Sequence, residues 1–217
     1  MNKKAVIFDL DGTLTEHNSW FEFTKFFGAS VDDHIKIYKD ALAGKISLEE
    51  SKQKLIKMWQ QSENANEKSI NDLFASWSVK HDALRVVEWL QNSGFRVGII
   101  TGSMKQYVKY VAKALSLDDY YSSAELMYDE NGLLIDFDYS INQSAVKLVQ
   151  LEQFCRRYGL GMSDCIVVGD GDNDIDIFKE TNRGIFIEGE MSSESLRKVA
   201  WKSVAQLSEI IEIIKSE

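Results

Sequence analysis

Asp9 and Asp11 stand two residues apart where an apolar run, Ala5-Val6-Ile7-Phe8, gives way to Asp9-Leu10-Asp11-Gly12-Thr13. A β-branched run of this kind reads as a buried strand of a parallel sheet. Residues i and i+2 of an extended chain face the same side. The two carboxylates therefore crowd like charges together, which is unfavourable unless a cation or a shared proton relieves it. The carboxyl ends of strands are also where open α/β sheets take their ligands. A carboxylate there can attack a phosphate monoester, and the aspartyl phosphate so formed splits one difficult hydrolysis into two easier steps. A second acid can protonate the leaving alcohol and then activate the water that ends the cycle. Asp9 suits the first role and Asp11 the second. The structural alternative is that one of them only caps a turn.

Further along, Val97-Gly98-Ile99-Ile100 reads as a second buried strand ending in Thr101-Gly102-Ser103, and Lys147 lies near the start of an amphipathic helix. Cys165-Ile166-Val167-Val168 reads as a third strand and runs into Gly169-Asp170-Gly171-Asp172-Asn173-Asp174. With these four segments in order, from residue 9 to residue 174, the chain resembles the haloacid dehalogenase superfamily, in its phosphoserine-phosphatase-like branch. The resemblance rests on DxDG[TS], a later Thr or Ser, a downstream Lys, and GDxxxD. It implies a Mg²⁺ ion held by the Asp9 side chain, the Asp11 backbone carbonyl and the Asp170 side chain. Asp174 and Asn173 would orient metal-bound water. Hard oxygen ligands with several waters suit that ion. Asp172 and Asp176 fall outside the motif spacing and read as acids at a helix N-terminus. Phosphate donors are expected from the Thr101 hydroxyl and the Gly102 N–H at a helix N-terminus. Lys147 would complete the clamp by neutralising the nucleophile and the transferring group.

These groups require a doubly wound α/β core, a parallel sheet with helices on both faces. The core is expected from residues 1–15 and 81–217. Between them, residues 16–80 carry four helix signals and no strand. Trp20, Phe23 and Phe27 share a face behind Ser19 as an expected N-cap, while Ser30 and Ser47 open capping boxes and Asn66 opens the fourth helix. This reads as a separately folded helical bundle, and the resemblance implies a cap over the active site. Beyond it the pattern predicts helix 82–93, strand 95–100, helix 103–116 and a hairpin over 121–139 turning at Asp129-Glu130-Asn131-Gly132. Helix 144–158, strand 165–168, helix 173–180, strand 184–187, a short strand near 201–204 and a helix from Gln206 complete the expected order.

The composition narrows the function class. Across 217 residues, 44% are hydrophobic and 27% charged, as in ordinary globular proteins. A net charge of -9 argues against binding a phosphate backbone, so no nucleic-acid partner is expected. Cys155 and Cys165 are too few for a disulfide framework and read as small buried apolar residues. No apolar stretch approaches a membrane span and no signal-like segment opens the chain, so a cytoplasmic enzyme is expected. The absence of proline has no functional explanation.

The expected activity is Mg²⁺-dependent hydrolysis of a small phosphorylated metabolite. The alternatives are a phosphomutase of the same superfamily or a non-catalytic phospho-ligand sensor, though a sensor needs no nucleophile. His17, His34 and His81 read as surface or hinge positions, His17 with a possible substrate contact. Trp20 and the neighbouring Phe21, Phe23, Phe26 and Phe27 are bundle core or pocket wall, with Trp20 placed for specificity. Phosphoserine phosphatases carry a Glu nine residues after the nucleophile for the serine amine and a cap Arg for its carboxylate. Here the first position is Asn18, and no arginine precedes Arg85. A strict preference for phosphoserine is therefore not expected.

Overall fold

The computed structural model describes residues 4–190 and 192–216. Its centre is a seven-stranded sheet in the order β4-β3-β2-β1-β5-β6-β7. The strands are β1 Ala5–Phe8, β2 Arg96–Met104, β3 Asp119–Tyr128, β4 Leu134–Tyr139, β5 Cys165–Gly169, β6 Gly184–Ile187 and β7 Lys202–Val204. All neighbours pair in parallel except β3 and β4, which are antiparallel at one edge. β1 is wholly buried between β2 and β5, as its unbroken apolar run requires. The parallel α/β expectation holds.

Helices α1 Ser19–Phe26, α2 Val31–Leu42, α3 Leu48–Trp59 and α4 Glu67–Ser76 follow β1. Then come α5 Ala83–Asn92, α6 Lys105–Ala114, α7 Gln143–Tyr158, α8 Ile175–Thr181, α9 Glu194–Val199 and α10 Glu209–Lys215. The first four helices do not pack as a separate body. Phe23, Trp59 and Phe74 belong to the same apolar cluster as Phe8 and Leu10 of the sheet. Lys52 of α3 meets Asp136 of β4 at 3.0 Å, and the Gln60 amide donates to the Leu134 carbonyl at 2.7 Å. The β3–β4 hairpin is thereby fastened to the inserted helices.

Three local expectations need correction. The N-cap of α1 is Asn18, whose side chain accepts from the Phe21 N–H at 3.2 Å, because the Ser19 hydroxyl is committed elsewhere. β2 runs on through Thr101, Gly102 and Ser103 rather than ending before them. Its register with β3 shifts between Thr101 and Met104, and the Ser122 hydroxyl donates to the Ser103 carbonyl at 2.6 Å, keeping the segment extended. α9, capped by the Ser193 side chain, was not foreseen.

Candidate active site

β1 and β5 deliver their acids side by side, because the Asp9 N–H donates to the Val168 carbonyl and continues the ladder one residue past the strand. Asp9, Asp170 and Asp174 each offer a carboxylate oxygen, and these atoms lie within 4.8 Å of one another. All three residues are buried. Burial, and then the nearby Asp9 charge, hold the Asp170 carboxyl above the usual carboxylate range. Burial also raises Asp174, against the opposing pull of Lys147.

Lys147, in the second turn of α7, has no exposed surface and lies 2.9 Å from Asp9 Oδ1 and 2.7 Å from Asp174 Oδ1. Burial alone would depress its pKa, yet the charges of Asp174 and Asp9 outweigh it and raise it, so the ammonium persists. One ammonium among three carboxylates leaves an excess of negative charge that a divalent cation would balance. Two oxygens bear on that fit. Asp174 Oδ2 is buried without a hydrogen-bond partner, and Asp9 Oδ1 faces only the lysine. An unsatisfied buried carboxylate oxygen is expensive, and a metal ligand removes the expense. The donor set therefore suits a hard cation.

Gly12 makes room for this cluster. Its φ is +74°, and a Cβ there would lie 2.2 Å from Asp170 Oδ2. Thr13 donates to Asp170 Oδ1 at 3.1 Å, and Lys80 donates to the Gly12 carbonyl at 2.8 Å.

Asp11 is not part of the carboxylate trio; one oxygen, Oδ2, accepts from the Ser19 N–H at 3.0 Å and the Ser19 hydroxyl at 2.6 Å. That hydroxyl is also 2.6 Å from the Ser103 hydroxyl. Burial pushes the Asp11 carboxyl up to about 7, with the Asp9 charge adding to the rise and the Ser19 bonds opposing it. A carboxyl with that pKa can give and take a proton near neutral pH. Its other oxygen, Oδ1, is buried and unbonded.

Thr101, Gly102 and Asn173 line the same cavity, though not as expected. Thr101 and Gly102 sit on the irregular end of β2, whereas α6 begins only at Lys105. The Trp20 indole N–H donates to the Gly102 carbonyl at 3.2 Å and pins that segment. A Cβ on Gly102 would meet Gln143 Oε1 at 2.8 Å. Asp172 bonds the Ser193 hydroxyl.

The cavity encloses about 700 Å³ and runs from this cluster up to α2 and α3. Trp20 and Phe21 are on its wall, while Phe23 and Phe27 are in the core. Asn18 reaches the cavity too, but its carbonyl oxygen is spent on the helix cap. His17 packs edge-on against Trp77 at 4.8 Å and lines the cavity, and His81 is exposed. His34 is neither surface nor hinge: it is buried in α2 and borders the cavity. Ser19, Ser103, Lys80, Gln143 and the β4 residues Phe137 and Tyr139 complete the site without a site role read from the sequence. The Thr101-Gly102-Ser103 segment and the Asn18 and Trp20 positions are the signals that lie near two of them, Ser103 and Ser19.

The sequence profile of the haloacid dehalogenase-like hydrolases matches residues 3–181. The chain is 28% identical over 180 residues to the phosphoserine phosphatase of Methanocaldococcus jannaschii, covering 82% of each. It is 27% identical over 187 residues to that of Lactococcus lactis, covering 84% of this chain and 82% of that one. A solved structure named phospho-aspartyl intermediate analogue of phosphoserine phosphatase superposes with a TM-score of 0.76 at 23% identity, covering 98% of this chain and 99% of that one. A hydrolase from Salmonella enterica serovar Typhi gives 0.77 at 20% identity, covering 94% and 68%. At such identities these superpositions speak for the fold.

Proposed function

Because the chain belongs to the haloacid dehalogenase-like hydrolases, we propose that it hydrolyses a small phosphorylated metabolite through an aspartyl phosphate on Asp9, with Mg²⁺ as the cation. The observation that carries this reading is the buried trio Asp9, Asp170 and Asp174 with Lys147 set between two of its members. Its curated relatives named phosphoserine phosphatase support phosphomonoesters as the substrate class.

An Asp9 oxygen attacks phosphorus while the P–O bond to the alcohol breaks. Asp11, protonated, gives its proton to the departing oxygen; it then takes a proton from the water that cleaves the aspartyl phosphate and regenerates the Asp9 carboxylate. Ser19, with Ser103 behind it, fixes the rotamer of Asp11. Lys147 offsets charge on Asp9 and on the phosphoryl oxygens, which are also offered the Thr101 hydroxyl and the Gly102 N–H. Mg²⁺, held by Asp9, Asp170 and the Asp11 carbonyl with Asp174 and Asn173 beside it, would supply the positive charge that lets one anion approach another. The inserted helices of residues 16–80 act as the cap that keeps bulk water from the intermediate.

Benzyl phosphate turnover should vanish in excess chelator and return with Mg²⁺. Ca²⁺ should inhibit, because its looser coordination spoils the alignment of Asp9. Full turnover in chelator would refute the metal-dependent reading.

A further inference from the structure

The part of the cavity lined by α1, α2, α3 and β4 is built for something other than a zwitterion. Its wall carries Trp20, Phe21, Tyr38, Leu55, Phe137 and Tyr139. The rings of Trp20, Phe137 and Tyr139 lie 5.4–6.4 Å apart in tilted and edge-on pairs, a continuous aromatic surface. Lys52 is the only cation on this wall among the described residues, and its ammonium is already 3.0 Å from Asp136. A substrate carboxylate would have to share that ammonium with Asp136. Lys25 and Lys45 are exposed and paired with Glu22 and Asp40.

Besides Ser51 and Lys52, one more polar group borders this wall, the His34 imidazole. Trp59 Nε1, which can only donate, gives its proton to Thr24 Oγ1 at 3.1 Å. Thr24 Oγ1 is 2.6 Å from His34 Nδ1. Among the described residues Nδ1 is the one acceptor within reach of the Thr24 hydroxyl hydrogen, and on that ground the hydroxyl is assigned as donor to Nδ1 and the imidazole proton to Nε2. The ring is held edge-on against Phe21 at 5.8 Å and Trp59 at 5.9 Å. Nε2 has no partner among the described residues, and His34 borders the cavity. Burial pushes the imidazole pKa down to about 4, so at neutral pH it is an uncharged donor.

We propose that His34 is the specificity-determining residue of the leaving-group pocket, and that the substrate is the phosphate monoester of an uncharged alcohol with an apolar or aromatic body and one hydrogen-bond acceptor for His34. This rests on the hydrolase reading above. The body lies on Trp20, Phe137 and Tyr139, while its acceptor meets the Nε2–H. Pockets of this design take orientation from one or two polar groups and affinity from apolar contact. On this wall a serine head would find for its carboxylate only Lys52, already paired with Asp136, which discriminates against it.

The test compares kcat/KM in Mg²⁺ for benzyl phosphate, 3- and 4-acetylbenzyl phosphate, phosphoserine and phosphocholine, all esters of aliphatic alcohols. Wild type should favour the benzyl esters at least tenfold over both charged substrates, with an acetyl ester best. In His34→Phe, the preference for that acetyl ester over benzyl phosphate should fall at least fivefold, through KM. His34→Gln, which can accept from Thr24 and still donate to the cavity, should recover part of it. Preference for phosphoserine or phosphocholine would overturn the proposal even if His34→Phe failed to fold. An equal loss on both benzyl esters would reduce His34 to a structural residue and overturn it as well. Hydrolysis of none of the five would instead refute the hydrolase reading on which the proposal rests.

Discussion

Asp9 and Asp11 are separated by one residue yet receive different surroundings, and that difference supports the separate roles proposed for them. Asp9 faces Lys147 and two further carboxylates. Asp11 turns to two serines in a buried recess where its carboxyl titrates at about 7. A carboxyl raised by burial, next to a carboxylate set against an ammonium, is a usual arrangement for an acid and a nucleophile in one site. Asp11→Asn should slow turnover of benzyl phosphate by roughly 10²–10⁴. The loss should be smaller for p-nitrophenyl phosphate, whose leaving group needs no proton. Measurement of kcat/KM, which reports on formation of the aspartyl phosphate, checks this on the two esters, and equal losses in kcat/KM would remove Asp11 from the protonation step.

At the scale of elements, strand ends and helix starts bring these residues together, and the connections between them do the positioning. Asn18 caps α1 and so frees Ser19 for Asp11. Asn18→Ala should cost about 1 kcal/mol, read as a lowered denaturation midpoint, as for other N-caps. An unchanged midpoint would mean that the cap does not hold the helix. The motif acids were legible in the sequence because their chemistry has no structural purpose at a strand end. The four inserted helices were legible too, through capping residues and spacing. The wall of the cavity was not. Ser19 and Ser103 meet across 84 positions of sequence. Phe137 reaches the cavity only because β4 doubles back along β3 and α3 packs on it. No local pattern encodes such meetings. Ser19 was misread as a cap because a serine before an amphipathic helix favours capping locally, while a buried carboxylate offered it a stronger bond. β2 overran its expected end because the Ser122 side chain supports the strand beyond Ile100, which no periodicity reveals.

For the molecule as a whole, the buried acids store electrostatic repulsion that the fold must carry. Asp11, Asp170 and Asp174 all have folded pKa values above their ordinary 3.8. Protonation of these groups therefore favours the native state: their contribution is complete below about pH 4 and is lost as pH rises through the folded values, toward about 7 for Asp11. His34 works in the other direction, since its depressed pKa makes the fold lose stability as pH falls from about 6.5 toward 4. A cation that binds the acids isolates their share of this dependence. Mg²⁺ should raise the melting temperature more at pH 8 than at pH 5, and equal shifts in a calorimetric scan would contradict the carboxylates as its ligands. The account as a whole turns on covalent chemistry at one atom group, the Asp9 carboxylate. Its most direct test is acid quenching of the enzyme during turnover of radiolabelled benzyl phosphate, followed by peptide mass mapping. The account predicts one acid-stable, hydroxylamine-labile phosphoryl group, on Asp9, absent from Asp9→Asn. A phosphoryl group on another residue, or steady turnover by Asp9→Asn, would contradict it.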